Sequence, residues 1–118
     1  MEINIWMPGW EMDCCGEPFE AGSPVAWSLR WPATGLDWLP PVLPRATPPI
    51  DAAEGHHGTG GPLVRGVVRA IDTLHCRHDP APVPGSGLIR RVAAARPFVE
   101  EHGDRSFAGF LVRLRVVC

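Results

Sequence analysis

From Glu2 to Met7 the chain alternates, with Ile3, Ile5 and Met7 on one side and Glu2 and Asn4 on the other. A period of two marks a strand with one buried face. After a Pro8-Gly9 turn, Trp10 to Cys15 continues in the same style, which would put Trp10, Met12 and Cys14 on an apolar face and Glu11, Asp13 and Cys15 on a polar one. Val25 to Trp31 sets Val25, Trp27, Leu29 and Trp31 against Ala26, Ser28 and Arg30, and its aromatic and β-branched residues suit a pleated surface. Phe107 to Val117 reads as the last strand, with Phe110, Val112, Leu114 and Val116 inward and Arg113 and Arg115 outward.

Leu63 to Cys76 fits two periods, since Val64, Val67, Val68, Ile71 and Leu74 match a helical stripe while Val64, Val68 and Ala70 match a strand. Its valines and Gly66 favour a strand, with a bulge near Asp72. Pro80 to Gly87 is a turn-rich connection, Leu88 to Ala93 a short strand, and Pro97 to His102 one helical turn ending at Gly103. Between Pro32 and Pro62, seven prolines and five glycines deny the backbone regular hydrogen bonding, so a long loop is expected. Its first part, with Leu36, Trp38, Leu39, Val42 and Leu43, is apolar enough to lie across the sheet. Arg45 to Gly61 offers almost no core and is expected to be mobile and dispensable for folding. Five or six strands joined by Gly/Pro turns predict one domain over residues 1–118, an all-β antiparallel barrel or rolled sheet of SH3-like or OB-like type.

Composition narrows the function classes. At 118 residues and 45% apolar, the chain can bury one core, and no apolar run approaches the roughly 20 residues of a membrane span. A soluble cytoplasmic protein is expected. All eleven cations are Arg, and a net charge of -2 argues against nucleic acid as a partner, which would need a strong cationic excess. A protein or small molecule is the expected partner.

The side chains with chemistry form three groups. Cys14 and Cys15 adjoin acidic Glu11, Asp13 and Glu17, which disfavour the thiolate; in a reducing compartment both are expected as thiols, Cys14 packed inward and Cys15 near solvent. In His75-Cys76-Arg77-His78, strand alternation presents Cys76 and His78 together, so Cys14, Cys15, Cys76 and His78 are the candidate ligands of a zinc site. The spacing is tighter than that of a structural zinc knuckle, and a buried Cys with exposed imidazoles is the competing reading. His56-His57 lies in a Gly-rich stretch lacking the Lys-Ser/Thr of a phosphate loop, and Ser86 lacks the elbow of a hydrolase nucleophile. Arg65, Arg69, Arg113 and Arg115 line up as an anion patch or a solvated face. All five Trp fall in the first third of the chain, where several take the inward phase of a strand and so belong to the core. An aromatic-lined ligand or partner site would use Trp10, Cys15, Trp31 and Trp38.

The string G-W-E-M-D-C-C-G-E-P-F-E-A-G-S-P-V-A-W-S-L resembles the N-terminal signature of a family of short proteins from high-GC bacteria, known as a domain of unknown function. The resemblance extends to H-C-R-H, P-V-P-G-S-G and the closing F-A-G-F-L-V-R-L and skips the Pro-rich stretch. It implies a compact bacterial protein and supplies no activity, ligand or catalytic residue. Without an acid/base or nucleophile constellation, a non-enzymatic barrel that binds a ligand or partner is the leading expectation. The rivals are a zinc-binding or thiol redox protein, and a small barrel enzyme with a pocket under the Pro-rich loop.

Overall fold

The computed structural model describes residues 1–14, 16–54 and 61–117. In chain order the elements are β1 (Glu2–Pro8), α1 (Gly9–Cys14), β2 (Phe19–Glu20), β3 (Pro24–Arg30), α2 (Leu39–Val42), β4 (Ala52–Glu54), β5 (Leu63–Cys76), β6 (Leu88–Val92), β7 (Ala94–Ala95) and β8 (Ser106–Val116). Strands β3, β4, β1, β8 and β5 pair in that order and β5 returns to β3, so five strands close into a barrel, with β6 added beside β5. Closure leaves those five strands without an open edge. β2 and β7 form a separate two-stranded ribbon.

Only β1 and β4 pair in parallel; the other barrel pairs are antiparallel. Counted from β5, the first strand pairs with the second (β8), the second with the third (β1), the third with the fifth (β4, parallel), the fifth with the fourth (β3), and the fourth with the first. That is the pairing of an OB barrel whose chain starts at a different strand. α1 follows the strand counted third, where OB barrels also carry their helix.

Two apolar cores lie on opposite faces of this sheet. Inside the barrel are Ile3, Ile5 and Met7, Leu29, Val68 and Ile71, and Phe110, Val112 and Leu114, joined by Met12 from α1. Outside it, Trp6, Leu74, Cys76 and Leu111 meet Leu39 and Val42 of the strap that links β3 to β4. Trp6 is 2% exposed, and its ring stands edge-on to Trp38 with centroids 5.7 Å apart. Gly109 gives that ring its space: a Cβ there would lie 2.6 Å from the Trp6 ring and 2.5 Å from the Met7 carbonyl oxygen.

Four expectations are corrected. Trp10 to Cys15 is not extended, because Gly9–Cys14 makes a short helix that turns Met12 into the barrel and leaves Trp10 58% exposed. Cys14 is therefore exposed, and it is disulfide-bonded, not a packed thiol. The stretch 32–62 is not one unbroken loop. It contains α2 and β4, and Ala52, Ala53 and Glu54 are buried between β1 and β3, so the piece expected to be dispensable supplies a barrel strand. Two small Ala side chains fit where barrel strands crowd, which apolar content alone does not reveal. The register irregularities of the long strand fall between Val68 and Ala70 and between Leu74 and His75, not at Asp72. Finally, Pro97 to His102 makes no helix; His102 bridges to Arg105 in a tight turn in which Gly103 takes a φ of 59°.

Gly109→Ala should therefore cost on the order of 1–3 kcal/mol, because the added methyl meets backbone on one side and a fully packed ring on the other. Urea denaturation of the pure protein reads this directly. A midpoint equal to that of the parent would mean that Trp6 is loosely held and that the outer core is not a packed unit.

Candidate functional site

The outer core ends in an opening. From Ala70 onward the even positions of β5 face outward, and they change from Leu74 and Cys76, under the strap, to Ala70 and Asp72, which line a cleft. Register extends that line across the sheet, since Asp72 stands opposite Arg91 on β6 and Leu111 on β8, while Ala70 stands opposite Arg113. The result is a cleft of about 490 Å³ with Ala70, Ile89 and Leu111 along the sheet and Pro44, Ala46, Pro48 and Ile50 along the strap. Its walls are mostly apolar.

The strap is tied at both ends. Asn4 donates its backbone N–H to the Asp51 carboxylate and accepts from the Asp51 N–H, both at 2.8 Å. At the other end the N–H groups of Gly85 and Gly87 donate to the carbonyls of Pro41 and Val42 at 2.9 and 3.0 Å. A further hollow of about 840 Å³ on the strap's far side is lined almost wholly by the strap itself, from Ala33 to Ile50.

Charge in the cleft is organised. Arg91 Nε donates to Asp72 Oδ1 at 2.7 Å, and this hydrogen bond, with the accompanying attraction, raises the guanidinium pKa. Arg113 meets Glu2 at 2.8 Å, and Arg69 meets the same carboxylate at 3.6 Å, so two members of the supposed anion patch are already paired.

The residues singled out from the sequence do not gather here. Trp10 and Trp31 are exposed, Trp38 is half-buried against Trp6, and none of the three lines the cleft. Cys15, His56 and His57 lie outside the described residues. Cys76 and His78 do come together, with Sγ 3.9 Å from Nε2, and the His78 Nδ1 is 2.9 Å from the Ser106 hydroxyl. Cys76 is a free thiol, fully buried, and burial raises its pKa, which makes it a poor nucleophile. Among the described residues no group of three or more His, Cys, Asp or Glu is placed to hold a metal ion. Ser86 serves the backbone: its hydroxyl accepts from the Arg77 N–H at 3.0 Å and donates to the Val83 carbonyl at 2.7 Å.

Sequence reasoning missed Asp72, Arg91, Ile89 and Leu111. A signal existed in the runs Ile5-Trp6-Met7 and Phe110-Leu111-Val112, on paired strands, where three successive apolar residues break the alternation. Such runs mark strands covered on both faces.

His75, expected as an exposed imidazole, is 1% exposed. Its Nε2 donates to the Glu100 carbonyl at 2.9 Å, and its ring stands edge-on to His102 with centroids 4.6 Å apart. Burial lowers its pKa; the Glu100 carbonyl offsets part of this, and His102 and Arg90 add to the lowering.

These features define a small OB-like barrel with a strapped, largely apolar cleft on the outer face of its sheet. The chain belongs to a family of unknown function, DUF6578, whose pattern matches residues 1–116. No curated protein and no solved structure matches it. No helix among the described residues is long and apolar enough to cross a membrane.

The lowered pKa of His75 sets a pH dependence. Below the ordinary value of 6.5 the unfolded chain binds a proton on this ring that the folded protein resists, so stability present above that pH is lost as pH falls toward the folded-state pKa. The urea midpoint should be level above that value and fall as pH drops below it. His75→Phe should flatten part of the slope. A parent midpoint that is level through this window would show that the ring protonates as easily when folded.

Proposed function

We propose that the protein is a non-catalytic binding module and that its ligand, a small and mainly apolar molecule with one polar group, enters the cleft between the strap and the outer face of β5, β6 and β8. The observation that carries this reading is the half-buried Asp72, held by Arg91 at the edge of an otherwise apolar hollow. Small-molecule sites have this constitution, with apolar walls and a few fixed polar groups in roughly 300–1,000 Å³.

Position on the fold supports the same reading. OB barrels bind ligands across the strands counted second and third, between the loop joining first to second and the loop joining fourth to fifth. Here those strands are β8 and β1, and the two connections supply Ile89 and Arg91 on one side and Pro44 to Ile50 on the other. The fold supports this position for the site, and the chemistry of the cleft supports the class of ligand. Both arginines at the cleft are paired with acids, so little free positive charge faces a phosphate backbone, and nucleic acid is not the proposed partner.

A small-fragment screen read by backbone amide NMR tests this. Binders should shift Ala70, Ile89 and Leu111 together. Ala70→Leu, which fills the cleft from a half-buried position, should weaken them about tenfold, or ~1.4 kcal/mol, and leave the thermal midpoint nearly unchanged. Binders that act equally on the parent and on Ala70→Leu, or that shift only residues elsewhere, would reject the cleft as the site.

A further inference from the structure

The odd positions of the same ribbon carry different chemistry. Toward the other face of β5 and β6, Thr73, His75, Arg90, Val92, Val99 and His102 line a further cavity of about 550 Å³, whose rim it shares with the cleft at Ile89 and Arg91. Among the described residues the Arg90 side chain has no ion pair, and its one polar contact is the long approach of Nη1 to the His102 Nε2 at 3.4 Å. Because Arg90 can only donate, that contact makes Nε2 of His102 the acceptor and leaves the proton of a neutral ring on Nδ1. His75 is the reverse case: its Nε2 spends its hydrogen on the Glu100 carbonyl, so its Nδ1 carries a lone pair, buried and with no partner.

The cavity therefore offers a cation and an N–H donor beside one orphaned acceptor. A simple anion would satisfy the first two and leave the third unmet. An oxyanion that keeps one hydrogen satisfies all three. We propose that this cavity is a second binding site, adjoining the cleft at Ile89 and Arg91 but built from other polar groups, for phosphate or a phosphomonoester in a protonated form. Arg90 and a ring N–H of His102 meet the charged oxygens, and the P–OH donates to His75 Nδ1. His75 Nδ1 is sealed from solvent and the half-exposed His102 is the nearest ring, so the ligand reaches it as that ring moves and releases Arg90. Burial and the neighbouring Arg90 and His102 lower the pKa of His75 and so preserve the lone pair near neutrality.

Sulfate has the shape and charge of phosphate but no hydrogen near neutral pH, which makes it the discriminating control. Inorganic phosphate, glycerol phosphate and sulfate are titrated into the intact protein at neutral pH and constant ionic strength, and the ring resonances of His75 and His102 are followed by NMR. Phosphate should give saturable shifts on both rings, with sulfate weaker by about tenfold, the scale of one good hydrogen bond to a charged group. Comparing the two phosphates separates free phosphate from an ester as the preferred source. Arg90→Gln, an exposed substitution, should weaken phosphate several-fold, and His75→Phe should bring phosphate and sulfate to similar affinities. Shifts that fail to saturate, equal affinity for phosphate and sulfate in the parent, or binding unchanged by Arg90→Gln would overturn the proposal. None of these outcomes depends on Ala70 or the cleft, so the two sites stand or fall separately.

Discussion

The structure depends on how the long strand β5 is paired. One edge carries β8 along nearly its whole length, while the other is shared, β3 taking the first half from Leu63 to Val67 and β6 the second from Ile71 to His75. The irregularity at Arg69 separates those halves, and an extra residue in a ladder bends the strand there. Because of that division the first half of β5 closes the barrel, and the second half projects with both faces available to other parts of the chain.

Two covered faces follow from that projection, each with its own core and hollow. The outer face, with Leu74, Cys76, Trp6 and Leu111, is too apolar to meet water, and the strap covers it with Leu39 and Val42. Prolines make the strap a good cover, because they fix its backbone and leave few N–H donors; the carbonyls of Pro41 and Val42 accept from Gly85 and Gly87, and the Asp51 N–H donates to Asn4. Where the cover stops, the cleft begins. On the inner face, His75, Phe107 and His102 continue the barrel core beyond the point of closure, and the orphaned Nδ1 of His75 is the most costly polar atom in that extension.

Much of the scaffold was legible from the pattern of residues. β1, β3, β6 and β8 follow from alternation and turn residues, the valines of β5 distinguish it from a helix, and turns and small strands together point to a small barrel, SH3-like or OB-like. The sites were far less legible. Trp10 and the adjacent cysteines stand out because they are unusual residues close together in sequence, yet a six-residue helix sets Trp10 and Cys14 outward. Asp72, Arg91, Ile89 and Leu111 are ordinary residues from three strands, and only cross-strand register brings them together.

Sequence by itself determined what is periodic: which strands have a buried face and where Gly and Pro interrupt them. Those properties depend on neighbours a few positions away, so they can be read along the chain. Tertiary structure decided that Ala52 to Glu54 completes the barrel, that the strap is a roof over a second core, and that His75 is sealed inside while Trp10 is not. Each of these is a choice of partner for a segment with little preference of its own. Burial against residues distant in sequence, in a closed ring of strands, supplies the free energy that makes it.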